Sequence, residues 1–145
     1  MRISTKGRYA LRLMLDLAEH QGDGFVSLKD IAQRQEISKK YLEQIVPALS
    51  RAGFLLTNRG FQGGYRLARQ PADYTARDVL RLTEGSLAPV VCLDGDSTPC
   101  PRNASCPTLP LWQGLNRVIT EYLSSVTLQD LLDQQKEHYA NDYII

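Results

Sequence analysis

Cysteine is absent from 130 of the 145 residues, and all three cysteines stand in one fifteen-residue window, Cys92-x7-Cys100-x5-Cys106. Three is an odd number, so disulfides within one chain cannot use every thiol, and a disulfide scaffold is excluded as the basis of the fold. Histidine is nearly absent too. His20 and His138 stand alone, and there is no HExxH pair, no Ser-His-Asp arrangement and no phosphate-binding glycine loop, so a non-enzymatic role is expected. No apolar run approaches the ~20 residues that span a bilayer. Internal repeats and low-complexity tracts are missing as well. What remains is one domain's worth of soluble chain, long enough to bury a core without staples. No secretory signal precedes the cysteines, so the reducing cytoplasm is the expected compartment.

Net charge is also small, +1 overall, but it is unevenly placed. Residues 1–70 carry twelve Lys/Arg against six Asp/Glu, a balance of +6, whereas residues 71–145 carry five against ten, a balance of −5. A basic half joined to an acidic half suggests a polyanion-binding unit coupled to a unit with another task. Charges scattered over solvated helix faces would give the same totals, so the placement of the basic residues decides.

Ala10, Leu13, Met14, Leu17 and Ala18 repeat at helical spacing and stop near Gly22-Asp23-Gly24. A second helix opens at Ser27-Leu-Lys-Asp30 and a third at Ser38, both with capping residues. The third carries Leu42, Ile45, Val46 and Leu49 on one face, with Pro47 expected to kink or weaken it. Two short apolar stretches, Phe54–Thr57 and Tyr65–Ala68, flank Gly60, Gly63 and Gly64 and predict a β-hairpin. Three helices followed by a hairpin is the order of a winged helix-turn-helix. A fourth helix starts at Thr75, and a long one led by Pro110 carries the stripe Leu111, Leu115, Val118, Ile119, Tyr122. A short last helix starts at Thr127, followed by a tail, Tyr139–Ile145, of unassigned order. The expected class is mainly α with a small β-hairpin: a DNA-binding unit over 1–84, a cysteine loop over 85–108, and a dimerisation helix with its tail over 109–145.

The third helix would then be the recognition helix, presenting Ser38, Lys39, Lys40, Tyr41, Glu43 and Gln44 from its first turns. Glu43 is the sharpest of these, since a carboxylate near phosphates is tolerated mainly where it accepts from a cytosine amino group. An ion pair with Lys39 is the bland alternative. In the hairpin, Arg59 beside Gly60, Gly63 and Gly64 suits a wing tip entering the narrow, electronegative minor groove. Double-stranded DNA with a pseudo-palindromic site, read by a homodimer, is the expected partner. The apolar stripe is the candidate interface, with packing inside the monomer as its alternative.

The cysteine window is polar and broken by Gly95, Pro99, Pro101 and Pro107, so it reads as a loop. Three thiols in such a loop suit an iron-sulfur cluster, a zinc ion or a redox switch; core packing alone explains them poorly. Neither spacing gives the C-x2-C knuckle usual in structural zinc sites.

Ser4-Thr-Lys-Gly-Arg-Tyr-Ala10, Ile37-Ser-Lys-Lys-Tyr-Leu-Glu-Gln44, Arg59-Gly-Phe-Gln-Gly-Gly-Tyr-Arg-Leu67 and the cysteine loop together resemble one family. It comprises the winged-helix transcription regulators that include the iron-sulfur cluster regulator IscR, the nitric-oxide sensor NsrR and the cysteine-metabolism regulator CymR. The resemblance implies a homodimer whose long helix crosses between subunits. It also implies that Cys92, Cys100 and Cys106 are cluster ligands, because the cysteine-metabolism regulators lack this triad. A 2Fe-2S cluster is favoured over 4Fe-4S. The fourth ligand is unassigned: the family's histidine position holds Leu109 here, and its first-helix carboxylate position holds Arg8. Asp94, Asp96, His20, a partner side chain or solvent remain as candidates.

Overall fold

In a computed structural model, which describes residues 1–142, the chain forms six helices and one two-stranded antiparallel hairpin. They are α1 (Thr5–His20), α2 (Leu28–Gln35), α3 (Lys39–Arg51), β1 (Leu55–Asn58), β2 (Gly64–Leu67), α4 (Ala76–Glu84), α5 (Leu109–Ser125) and α6 (Leu128–Asp142). Single 3-10 turns occupy Pro71–Asp73 and Val91–Leu93.

The helix starts follow from their caps. Ser4, Ser27 and Ser38 each accept from the amide three residues on, satisfying one of the donors a helix leaves unpaired at its first turn. Thr75 and Asp78 form a reciprocal capping box at α4. α3 runs unbroken through Pro47, where a kink or weakening was expected. Pro47 is on the exposed side of the helix, where the Glu43 carbonyl that its missing N–H would have engaged can turn to water.

The core lies where α1 crosses the others. Ala10, Leu13, Met14 and Leu17 of α1 are fully buried against Leu42, Ile45 and Leu49 of α3, with Val79 of α4 and Leu128 of α6 in the same cluster. Truncating any one of the leucines to alanine removes apolar contact and leaves a void, typically a loss of about 2–5 kcal/mol.

The chain's end is where the sequence expectation falls short. The last helix was expected to be short, and it runs for 15 residues. It returns to pack on α1 and on the Pro71–Asp73 turn. Leu128 N–H donates to the Tyr74 carbonyl at 3.0 Å and Ala76 N–H to the Val126 carbonyl at 2.8 Å, so the entry to α6 is tied to the entry to α4. Residues 139–142 of the expected tail are helical, and 143–145 lie outside the described residues. Among the described residues no helix is long and apolar enough to cross a membrane.

Candidate nucleic-acid interface and cysteine loop

The turn between α2 and α3 is made by Glu36 in the left-handed region, φ 53°, while Ile37 N–H closes back onto the Ala32 carbonyl at 3.1 Å. Ile37 is buried, so this turn pins the start of α3 against the core. With Leu42, Ile45, Val46 and Leu49 inward, helical spacing puts Ser38, Lys39, Lys40, Glu43 and Gln44 outward, and all five are exposed. Tyr41 differs. It is half-buried, edge-on to Tyr9 of α1 with ring centroids 5.4 Å apart. Glu43 Oε1 lies 3.8 Å from Lys39 Nζ, so the ion pair weighed as the bland alternative does form, with both side chains more than half exposed.

In the hairpin, Leu55 pairs with Leu67 and Asn58 with Gly64. The two leucines are buried and anchor the wing's base. Val26 and Tyr65 exchange both backbone hydrogen bonds at 2.8 Å, so the chain before α2 runs along β2 like a third strand. Gly64 is required there: a Cβ would collide with the Val26 carbonyl. Arg59 and Gly60 are exposed at the tip beside half-buried Gly63. Arg66 of β2 is turned back from the tip, donating to the Asp23 carbonyl at 3.0 Å and lying over the Phe25 ring. Lys39, Glu43 and Pro47 of α3 face Asn58, Arg59 and Gly63 of the wing across one open groove.

The cysteine loop is built of successive short turns. Cys92 sits in the Val91–Leu93 turn, Cys100 offers its carbonyl to Asn103 N–H at 3.0 Å, and Cys106 precedes α5. All three are free and half-buried. Cys106 Sγ is 3.4 Å from Thr108 Oγ1. Hydrogen bonds from the Thr108 hydroxyl, and then from the Thr108 and Leu109 amides, hold its thiol below the usual range. Among the described residues, no three His, Cys, Asp or Glu side chains stand together so as to hold a metal ion. Cys92, Cys100 and Cys106 are instead held in separate turns of the loop. The turns' own hydrogen bonds, made by Ser97, Asn103 and Thr108, set the geometry of the loop. Of the candidate fourth ligands, Asp94 Oδ1 is engaged by Asp96 N–H at 3.3 Å, and His20 Nδ1 lies 3.0 Å from the Asp16 carbonyl.

α5 buries no residue at all and rests on α4 and the Val91–Leu93 turn. Its stripe faces solvent, with Leu111 62%, Leu115 41%, Val118 59% and Tyr122 66% exposed and Ile119 half-buried. Leu111, Val118 and Tyr122 are each more than half exposed in the protomer, so most of the stripe stays unpacked within it.

The sequence pattern of one family, Rrf2, described as an iron-dependent transcriptional regulator, matches residues 3–134. The transcriptional regulator CymR of Bacillus subtilis is 42% identical over 142 residues, 96% of this chain and 97% of that protein. IscR of Photorhabdus laumondii, also named as a transcriptional regulator, is 37% identical over 136 residues, 94% of this chain and 82% of that one. The solved structure of B. subtilis CymR superposes with a TM-score of 0.76, covering 92% of this chain and 98% of that one. That of T. potens IscR does so at 0.76 and 40% identity, covering 95% and 90%. The chain belongs to the Rrf2 family.

As in the solved Rrf2-family structures it matches, the helices and hairpin make a winged helix, and the relatives are named as transcription regulators rather than enzymes. Two residues that position α3 and the hairpin were not singled out from the sequence. Tyr74 is fully buried, and its hydroxyl donates to the Phe54 carbonyl at 2.8 Å while accepting from Arg69 N–H at 3.0 Å. It thereby clamps the segments entering β1 and leaving β2. Asp16 is the one charged side chain buried among the described residues, and it faces α2. Neither belongs to a motif; for Asp16 the only signal was a charged residue on the buried face of α1, and Tyr74, in extended backbone before α4, had none.

Proposed function

We propose that this Rrf2-family regulator works as a homodimer through the α5 stripe, reads DNA with α3 and the wing, and is controlled by an iron-sulfur cluster on Cys92, Cys100 and Cys106. The observation that carries the reading is the confinement of three free, half-buried thiols to one loop that leads directly into α5. The donor set fits the group: thiolates are the usual ligands of such clusters, and the Thr108 contacts already favour the thiolate at Cys106. We favour 2Fe-2S over 4Fe-4S, with a fourth ligand from outside the triad.

When bound, a cluster supplies a cross-link that is sensitive to oxidation and to iron supply. The chain's own residues do the rest. Cys92, in the Val91–Leu93 turn on which α5 rests, and Cys106, just before α5, would hold the cluster, so its gain or loss would bear on the position of α5. Leu111, Leu115, Val118, Ile119 and Tyr122 hold the partner subunit, so a shift of α5 resets the spacing of the two DNA-reading units. On the DNA, Lys39, Lys40 and Arg59 meet phosphates or the minor groove; Ser38, Glu43 and Gln44 stand toward base edges, with the half-buried Tyr41 offering only its open edge; and Gly60 and Gly63 let the wing backbone approach, while Gly64 seats the wing on Val26. We assign DNA reading to 1–84, the cluster loop to 85–108, and dimerisation to 109–145.

The test is anaerobic reconstitution followed by a visible spectrum with iron and acid-labile sulfide quantification. Coloured protein containing iron and sulfide is expected; colourless, sulfide-free protein after competent reconstitution overturns the cluster. A second reading draws on the lowered thiol of Cys106 and on the description of CymR as a global cysteine regulator. It is direct thiol control without a cluster, and the same assay separates the two.

A further inference from the structure

We propose that Phe61 is a wedge that enters the minor groove and partly unstacks one base step in each half-site. The proposal rests on the reading of the β1–β2 hairpin as a DNA-contacting wing. Of the three phenylalanines, Phe54 packs against Tyr74 with ring centroids 5.2 Å apart, and Phe25 lies beneath the Arg66 guanidinium. Phe61 has neither kind of partner and is completely exposed, at 104% relative accessibility. A ring left wholly in water forgoes the burial that drives aromatic side chains inward.

The ring is not on a slack loop. Gly63 N–H donates to the Gly60 carbonyl at 3.0 Å, closing a turn with Phe61 and Gln62 at its two outermost positions. Gly60 holds φ +118°, a backbone that a residue with a Cβ rarely adopts, so the turn's shape is fixed by its glycine. The tip is thus a short, closed support that holds one apolar ring outward.

Its surroundings suit nucleic acid. The segment Asn58-Arg-Gly-Phe-Gln-Gly-Gly64 has no carboxylate to repel phosphate, and Arg59 is exposed two residues before the ring. The wing and α3 share one groove. With α3 in a major groove, the tip meets the flanking minor groove, where proteins insert apolar side chains between base pairs and kink the duplex. Pyrimidine-purine steps unstack most easily, so the wedge would add preference for such a step beneath the wing without any hydrogen bond to it.

The experiment uses the intact protein and a duplex selected by it from a random pool, end-labelled for energy transfer and carrying 2-aminopurine at successive steps under the wing. The wild type is expected to bend the duplex and brighten 2-aminopurine at one step per half-site. Phe61→Ala should abolish both signals and weaken binding about tenfold, with an unchanged circular-dichroism spectrum because the ring supports nothing in the fold. Phe61→Leu, still an apolar wedge, should keep most of the bend. A Phe61→Ala protein that bends and brightens the duplex like the wild type overturns the wedge, as does a wild type that binds while leaving the duplex straight and 2-aminopurine dark. A wild type that selects no duplex at all overturns the wing reading itself, which sets that failure apart.

Discussion

Asp16 Oδ1 lies 2.7 Å from Arg34 Nη2, while Asp16 Oδ2 accepts from Arg34 Nε at 3.0 Å and from Gln35 Nε2 at 2.9 Å. This fork ties α1 to the end of α2, immediately before the turn that sets the angle of α3. The hydrogen bond to Asp16 raises the Arg34 pKa above its ordinary value, against the opposing effect of burial. The two partners are not equivalent. Asp16 has no access to water, whereas Arg34 keeps about a third of its side chain exposed.

Removing the cation should therefore be the worse substitution. Arg34→Ala leaves the buried Asp16 carboxylate without its counter-charge, with Gln35 as its remaining side-chain donor, and about 3 kcal/mol of stability should be lost in urea unfolding. Asp16→Leu should cost less, because the freed guanidinium can swing into solvent. The double variant Asp16→Leu/Arg34→Leu should recover part of the Arg34→Ala loss. Equal losses for the two single variants would mean that the charges are not the source of the effect.

Glu43 and Lys39 make the contrasting case. Their 3.8 Å contact is between groups more than half exposed, and such pairs contribute only a few tenths of a kcal/mol. Glu43→Ala should leave the unfolding midpoint almost unmoved while altering the sequence recovered by unbiased selection of duplexes. An unchanged selected sequence would remove Glu43 from base reading and leave the ion pair as its whole role.

The winged helix was legible because its determinants are local. Ser27, Ser38 and Thr75 announce helix starts through their own hydroxyls, and periodic leucines give each buried face. Long-range pairings left no such trace. Nothing near Asp16 announces its pairing with Arg34, 18 residues on, and nothing near Leu128 announces that α6 packs back on α1. Pro47 marked a turn of α3 short of one backbone donor, but the sequence did not show that α3 continues through it to Arg51 or that the proline lies on the exposed side. In the cysteine loop the residue types were visible, but their placement in separate turns depends on hydrogen bonds made by Ser97, Asn103 and Thr108.

The open stripe of α5 gives a prediction about assembly. Val118 and Tyr122 are more than half exposed in the protomer, so charge there meets water in a monomer and apolar surface in a dimer. Val118→Glu with Tyr122→Lys should give folded monomers: sedimentation at half the wild-type mass, with helix content by circular dichroism retained. A folded dimer from this variant would place the interface elsewhere.

At the start of α6, Thr127 N–H donates to Asp130 Oδ2 at 2.8 Å and Asp130 N–H to Thr127 Oγ1 at 3.1 Å. These bonds, the Thr127 amide first, hold the Asp130 carboxyl below the ordinary aspartate range. A depressed folded pKa gives stability that is present above the unfolded value and lost as pH falls through the folded one. Asp130→Asn should thus lower the thermal midpoint at pH 7, and its deficit relative to wild type should shrink as the pH falls below about 4. A deficit independent of pH would show that the carboxylate charge is not what the cap uses.

The cysteines can be tested both as individual thiols and as a set. In cluster-free protein, the hydrogen bonds from Thr108 and Leu109 favour the thiolate at Cys106, and the thiolate is the nucleophile. Cys106 should therefore be the first alkylated by iodoacetamide near neutral pH, and Thr108→Val should slow it, as mass spectrometry of quenched samples would show. A cluster makes the opposite demand, for all three thiols at once. Cys92→Ala, Cys100→Ala and Cys106→Ala should each remove most of the reconstituted iron and sulfide, while helix content persists because none of the three lies in the core. Direct thiol control instead makes Cys106 dominant and the other two dispensable for the response. Two variants that kept full cluster content would exclude a shared three-cysteine ligand set, leaving the Thr108-assisted thiol as the feature of this loop on which regulation could act.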